Sequence, residues 1–253
     1  MAGHWRINGF YDVTKLTGLF EAAQRRESCR SFAAAPSTEQ WNALTHAADE
    51  LALPGVRIAL GLCDTSLFKP LLAGLVIKFE NVQRFAAVIV RDREPQTVVD
   101  AGVSGEMFLL RAVELGLGAC WVSGTYKRGQ VGLRLEADER IVALLALGIP
   151  KRLPDLPIRR RRKEITALCP AFDSLNSAQQ EIVQYVQIAP SAINLQPWRI
   201  SPAGPSELTI SVGTPGQRLD LGIGLCHALL ALGSTPAQFS LGENALSATV
   251  RQL

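Results

Sequence analysis

The chain has 253 residues, of which 47% are hydrophobic and 19% are charged. This length suits one large domain or two small ones, and the apolar content is too high for a disordered chain. The net charge of +3, from 26 basic and 23 acidic residues, argues against a nucleic-acid partner. Three His and five scattered Cys without a Cys-x-x-Cys pair offer no metal site and no disulfide framework. We therefore expect free thiols in a reducing cytoplasm.

Two stretches bear on targeting and membrane insertion. Polar and charged residues interrupt every apolar stretch of residues 1–15, so we expect no signal peptide. Residues 221–242 contain no Asp, Glu, Lys or Arg, but Gly, His, Pro and Gln break the run. A buried helix that ends near Gly233, followed by a short strand, suits this pattern better than a membrane span. We expect a cytoplasmic protein with no membrane partner.

The first part of the chain alternates predicted helices and strands. Residues 18–32 favour a helix that leads into a basic turn, and Ser37 is placed to cap a second helix. Residues 99–116 form the clearest helix, because apolar residues recur along them at helical spacing. The strands predicted here are residues 57–62, 85–90, 119–122 and 141–147.

A change in composition follows. Residues 151–163 include prolines and five consecutive positive charges at 159–163, which is typical of a solvated connector, although the run could also hold a phosphate. Beyond this segment, the pattern predicts a helix over 176–188, a loop over 189–198, a strand over 208–212 and a helix over 220–232.

Two of the predicted helices resemble each other at a spacing of 120 residues. Both carry an Asp, a Gly, a β-branched residue and a Leu-Leu pair in the same order, and each follows a helix, a loop and a strand. A chance match between two apolar helices is the alternative, but the shared order of elements favours an internal duplication. The matched pairs are Asp100 and Asp220, Gly102 and Gly222, Val103 and Ile223, Leu109 and Leu229, and Leu110 and Leu230.

A basic segment after the first helix is the first candidate for chemistry. Arg26, Ser28 and Arg30 alternate, so in an extended chain their side chains project to one side. Two guanidinium groups and a hydroxyl on one side suit a phosphate, although a basic turn is more often only solvated.

A proline-flanked loop is the second candidate. Residues 189–198 contain two prolines, the short polar side chains of Ser191 and Asn194, and Trp198, which is placed to anchor the next strand. Residues 116–124 contain only Gly-x-Gly, so a Rossmann-type dinucleotide site is rejected. No nucleophile motif or metal motif is present, and His4, His46 and His227 show no catalytic partner in the sequence. Chemistry would then come from a bound cofactor.

These segments resemble the FMN-dependent nitroreductase family. The segment RRESCRSF resembles its Arg-x-Ser-x-Arg motif, APSAINLQPWRI its Pro-Ser-x-x-Asn loop, GLGACWVSG its Gly-Leu-Gly strand, and ALGIP its closing strand. The resemblance covers nearly the whole chain. It implies an α+β nitroreductase-like fold, a mixed and mainly antiparallel sheet flanked by helices. It also implies FMN as cofactor, NAD(P)H as hydride donor, and no metal.

The resemblance also implies a set of cofactor-binding residues and no catalytic side chain, since hydride chemistry takes place on the flavin N5. The arginine motif would hold the phosphate and ribityl chain, the Pro-Ser-x-x-Asn loop would pack against the flavin, and the Ser-Gly turn would lie beside its pyrimidine edge or N5. An arginine of 159–162 would add phosphate charge, with Arg160 as the chosen position. The residues are Arg26, Ser28, Arg30, Ser123, Gly124, Arg160, Pro190, Ser191 and Asn194.

The order of these motifs differs from that of the family. In the family the Pro-Ser-x-x-Asn loop follows the arginine motif by a few tens of residues, whereas here residues 50–56 occupy that place and the loop comes 160 positions after Arg30. The chain is similar to the single-chain "putative TM nitroreductase" branch, which implies a fused pseudo-dimer. Residues 1–155 would form a first half with the phosphate motif and the Gly-Leu-Gly strand, and residues 156–253 a second half with the loop.

Together these features predict one functional unit, a monomer acting as a pseudo-dimer with one composite FMN site. The expected activity is an FMN-dependent NAD(P)H oxidoreductase that reduces a small-molecule acceptor such as a nitroaromatic or quinone. Two alternatives are a non-catalytic FMN or small-ligand binding protein derived from a nitroreductase, and a structural scaffold without ligand.

Overall fold

The computed structural model describes residues 6–7, 10–11, 16, 18–68, 78–92, 94–153, 161–233 and 237–252. The first part of the chain contains β1 (Arg6–Ile7), β2 (Phe10–Tyr11), α1 (Leu19–Arg25), β3 (Phe32–Ala34), α2 (Thr38–Glu50), β4 (Val56–Leu62), β5 (Arg84–Val90), α3 (Pro95–Glu114), β6 (Gly118–Val122) and β7 (Arg140–Pro150). The second part contains α4 (Ile165–Leu168), α5 (Ser177–Ile188), β8 (Arg199–Gly204), β9 (Glu207–Ser211), α6 (Arg218–Leu232), β10 (Ala237–Leu241) and β11 (Ser247–Gln252).

Each part contains a main antiparallel sheet in which four strands have the same order, and β1 and β2 pair separately in the first part. The first sheet runs β4-β5-β7-β6, and β3 pairs with the end of β7. The second runs β8-β9-β11-β10. If the four strands of each sheet are numbered along the chain, they lie side by side in the order first, second, fourth, third in both sheets. A long helix connects the second strand to the third in each case. The α+β class and the mainly antiparallel pairing predicted from the sequence are confirmed.

The helices that precede the two sheets begin in the same way. Ser37 accepts the Gln40 N–H at 3.2 Å, and the Gln40 side chain accepts the Ser37 N–H at 2.9 Å. Asn176 and Gln179 form the same reciprocal pair at the start of α5, with distances of 2.9 and 3.3 Å. Each pair satisfies two backbone donors that the first helical turn leaves open. The predicted cap at Ser37 is confirmed.

The α3 and α6 helices cross at the centre of the molecule. A Cβ placed on Gly102 would overlap the carbonyl oxygen of Leu219, and one placed on Gly222 would overlap the carbonyl oxygen of Val99. Each glycine therefore lets the other backbone approach, although glycine inside a helix costs about 1 kcal/mol relative to alanine. Val99 and Leu219 are themselves 120 positions apart, so the contact is reciprocal.

Apolar residues fill two clusters around this crossing. The larger one joins α3 and α6 with both sheets and with α1, α2 and α5. The smaller one covers the other face of the first sheet and includes Phe32, Phe68, Phe79 and Phe85. Most of α6 is buried on all sides, which explains its lack of charged residues after Asp220.

The first helix ends at Arg25, where the predicted basic turn follows, because Arg26 already has extended backbone angles. Two other predicted boundaries were wrong. The α3 helix begins at Pro95 rather than at 99, since proline suits the first helical turn. The strand predicted over 141–147 extends from 140 to 150. The predicted domain boundary between 155 and 156, the start of the basic run, and His4 lie outside the described residues. No helix in the described part of the chain combines the length and apolar character that crossing a bilayer requires.

Candidate ligand site

A cavity of about 1290 Å³ brings together residues from both parts of the chain. It is lined by the segment after α1, the end of β6, the start of β7, the loop after α5 and the start of α6. The predicted site residues that line it are Arg26, Ser28, Arg30, Ser123, Gly124, Pro190, Ser191 and Asn194. Arg160 lies outside the described residues, whereas Arg161 and Arg162 of the same run line the cavity.

The arginine motif is fixed by backbone pairing. Ser28 forms a parallel bridge with Ala119 of β6, where the Cys29 N–H donates to the Ala119 carbonyl at 3.0 Å. Two residues later, the Arg30 carbonyl accepts the Glu80 N–H at 2.9 Å. The side chains of Arg26, Ser28 and Arg30 all line the cavity, and so does Glu27. The Arg30 Nη1 donates to the Ser28 carbonyl at 3.3 Å, while its buried Nε has no hydrogen-bond partner among the described residues.

Arg26 lies beside a buried cluster of ionisable groups. Its Nε is 4.0 Å from Glu106 Oε1, and the same oxygen is 3.0 Å from His227 Nε2. The other Glu106 oxygen accepts the Trp121 Nε1–H at 2.7 Å. Burial lowers the pKa of the Arg26 guanidinium, and the Glu106 carboxylate opposes that effect. His227 shows no partner in the sequence, and the structure supplies a carboxylate 121 positions away.

The loop after α5 has an unusual backbone. Ile193, Asn194 and Gln196 have φ values of 42°, 58° and 47°. A positive φ is costly for a β-branched residue such as Ile193, and such strain concentrates at ligand-binding segments. Inside the loop, the Gln196 N–H donates to Ser191 Oγ at 2.8 Å.

Asp220, at the start of α6, ties this loop to the central helices. Its side chain accepts the Ala192 N–H at 3.0 Å, and its carbonyl accepts the Trp198 Nε1–H at 2.8 Å. Burial raises the pKa of Asp220, and the bond from Ala192 opposes that rise. Asp220 therefore fixes the loop where it meets the cavity.

The basic run meets the same loop. Arg162 Nη1 donates to Asn194 Oδ1 at 2.6 Å, and the Asn194 amide nitrogen donates to the Arg161 carbonyl at 2.9 Å. Arg162 also donates to the Ile188 carbonyl at 3.0 Å. The segment predicted as a connector therefore contributes to the wall of the cavity, and its arginines position Asn194.

The cavity is strongly cationic. Eight of its lining residues are Lys or Arg and two are Asp or Glu. Unbalanced guanidinium groups and the unpartnered Arg30 Nε fit an anionic ligand with several acceptor oxygens, as in a phosphate group. The basic residues are Arg26, Arg30, Lys78, Arg128, Arg140, Arg161, Arg162 and Arg218.

Sequence reasoning missed Glu106, Trp121 and Asp220 as parts of this site. Asp100 and Glu106 are the two acidic residues inside the buried stretch 99–110, and a charge in an apolar helix is a usable signal for a buried partner. The pairing with His227 could not be found, because nothing in local spacing reports a contact across 121 positions. Asp220 was noted only as part of the repeat.

Comparison with known proteins yields one family match and several related structures. The family model described as "Putative TM nitroreductase" matches residues 18–232. A crystal structure described as a "putative nitroreductase" from Thermotoga maritima is 21% identical, with a TM-score of 0.68 over 92% of this chain and 93% of that one. An FMN-dependent nitroreductase from Clostridium difficile is 15% identical, with a TM-score of 0.44 over 55% of this chain and 91% of that one. No curated protein matches the sequence. The Thermotoga structure confirms the predicted fold.

Proposed function

The chain belongs to the nitroreductase family whose model it matches over residues 18–232, and we propose that it is a flavin oxidoreductase with one composite FMN site. Family membership supports an oxidoreductase. The finer assignment is an FMN-dependent NAD(P)H oxidoreductase that reduces a small acceptor such as a nitroaromatic or quinone.

The observation that carries this proposal is the shared cavity. The arginine motif and the Pro-Ser-x-x-Asn loop lie 160 positions apart, counted from Arg30 to Pro190, yet both line one cationic cavity. This arrangement is expected if both motifs bind the same ligand. The arginines would bind its phosphate, and the loop would contact its ring.

The fold supports an internal duplication as the origin of this arrangement. Both sheets have the same strand order, both preceding helices begin with a capping box, and the central glycines contact each other reciprocally. Reciprocal contact is the signature of an interface with twofold symmetry. We assign residues 1–155 and 156–253 to two halves of a pseudo-dimer, and the functional unit to a monomer.

The residues of the cavity suit particular parts of FMN. Arg26, Ser28 and Arg30 would hold the phosphate, supported by Arg161 and Arg162 from the basic run. Arg162 also orients the amide of Asn194, so the same arginine supplies positive charge and holds the loop in place. Ser123 and Gly124 would border the ring, where a Cβ on Gly124 would meet nothing within 4 Å. When bound, FMN supplies the hydride and electron chemistry, and the chain supplies binding, orientation and positive charge.

The proposal is tested on the purified protein. FMN is added, excess is removed, and the flavin absorbance is followed without oxygen as NADH or NADPH is added. We expect a yellow protein that bleaches with a nicotinamide donor and regains its colour with a nitroaromatic or quinone. A yellow protein that never bleaches would indicate a binding protein, and one that takes up no FMN would contradict both flavin functions.

A further inference from the structure

A second set of basic residues lies at the end of the cavity remote from the arginine motif. The register of the strands determines where this set lies relative to the motif. Ser28 pairs with Ala119, which pairs with Leu147, and Arg140 lies seven positions before Leu147 on β7. At about 3.3 Å per residue, this puts Arg140 roughly 20 Å along the sheet from the motif.

Arg218 belongs to the same end. Arg140 pairs with Val90, the last residue of β5, and α3 begins only five positions after Val90. The first turns of α3 meet the first turn of α6 where Gly102 approaches Leu219, the residue after Arg218. Val98, Arg140 and Arg218 all line the cavity.

These two arginines have no carboxylate partner in the described part of the chain. Neither Arg140 nor Arg218 takes part in an ion pair among the described residues. Arg218 Nε donates to the Asn244 carbonyl at 3.0 Å, which fixes the side chain and leaves its charge unbalanced. By contrast, Arg57 and Arg111, outside the cavity, pair with Glu139 and Glu114.

We propose that Arg140 and Arg218 bind a phosphate group of the nicotinamide dinucleotide donor. FMN has a single phosphate, which cannot lie beside both the arginine motif and Arg140 when roughly 20 Å of strand separate them. A second phosphate would balance the positive charge at this end, because guanidinium groups favour phosphate oxygens. The identity of the donor rests on the proposed function, whereas the anion site rests on the cavity.

The probes are ADP-ribose and ADP-ribose 2′-phosphate, which carry the donor phosphates without the nicotinamide ring. Their binding is measured by calorimetry on protein supplied with FMN and again on protein without it. In Arg140→Gln, Arg218→Gln double-substituted protein we expect the Kd of the probe to rise at least tenfold while the Kd of FMN changes less than twofold. Arg199→Gln, an exposed position outside the cavity, is the matched control and should change neither.

The two probes separate the two phosphate sources. Loss confined to ADP-ribose 2′-phosphate places the ribose phosphate at this end, and equal loss for both probes places the diphosphate there; either result supports the site. Failure of both probes to bind the unsubstituted protein, or unchanged affinity in the double-substituted protein, would overturn the proposal. So would an equal loss of FMN affinity, which would assign these arginines to the flavin.

Failure of this site and failure of the proposed function give different results. A protein that binds ADP-ribose through Arg140 and Arg218 but takes up no FMN would retain the anion site and lose the flavin function. A yellow protein that bleaches with NADPH, together with normal binding of the probes to the double-substituted form, would support the flavin function and overturn the anion site.

Discussion

The two parts of the chain share a framework but differ in the polar groups that the framework holds. Strand order, helix caps and the glycines of the crossing are alike in residues 18–153 and 161–252. In contrast, α3 carries Glu106 where the position 120 residues later on α6 is Cys226. The apolar and glycine positions that maintain the fold are therefore alike in the two parts, while the polar positions differ.

The same division applies at the cavity. The arginine motif comes from the first part and the strained loop from the second, and neither part contains a second copy of what the other supplies. Three comparisons test this division, two of them between positions 120 residues apart, in order of expected effect.

Substitution at the helix crossing should have the largest effect. In Gly222→Ala the new Cβ would overlap the backbone of Val99, and in Gly102→Ala that of Leu219, so the helices must move apart. We expect each to lower the free energy of unfolding by about 3 kcal/mol, near the upper end for overpacked cores. Urea unfolding measures this. Gly129→Ala, where a Cβ would meet nothing within 4 Å, is the control. A normal midpoint for Gly222→Ala would mean that the crossing is not tightly packed.

Removing the buried carboxylate should have an effect of similar size. Glu106→Ala leaves Arg26, His227 and the Trp121 N–H without this acceptor. Breaking a buried ionic group costs about 3 kcal/mol, whereas Cys226→Ala at the matched position should cost about 1 kcal/mol. Glu106→Ala should also weaken FMN binding, because Arg26 loses its neighbour. Equal destabilisation by the two substitutions would show that Glu106 stabilises the fold no more than Cys226 does.

The acid sensitivity of the first sheet should give the smallest effect. Glu139 accepts two bonds from Arg57, at 2.7 and 2.6 Å, and these lower its pKa from 4.5 to about 2. Since the folded-state pKa is depressed, its stabilisation is complete above pH 4.5 and is lost as the pH falls through 2. The melting temperature of Glu139→Gln should therefore fall less between pH 4.5 and 2 than that of the unsubstituted protein.

Glu207→Gln provides the comparison in the second sheet. Glu207 pairs with Arg251 through a single contact, and Arg251 is half exposed. Exposed pairs contribute about 0.5 kcal/mol, so this substitution should leave the pH profile unchanged. If both substitutions changed the dependence of melting temperature on pH equally, the pair of Glu139 with Arg57 would not be the cause of the acid sensitivity.

Sequence patterns predicted the central elements well and the site only in part. The continuous apolar runs of β5 and α6 and the cap of α2 were found, because local patterning determines them. The β8 and β11 strands were missed: β8 contains Pro202, and the alternation of β11 includes only two apolar residues, Ala248 and Val250. The cluster of Glu106 with His227 and the bond from Arg162 to Asn194 join distant segments, and tertiary packing alone brings them together.

The number of FMN molecules per chain tests the composite site most directly. Equilibrium dialysis of the unsubstituted protein, of Arg30→Ala and of Asn194→Ala compares the contributions of the two parts. We predict one FMN per chain, and a Kd about tenfold higher in each variant, because each removes a polar contact from the same site. Two FMN per chain, or normal affinity in Asn194→Ala, would contradict a single site built from both halves.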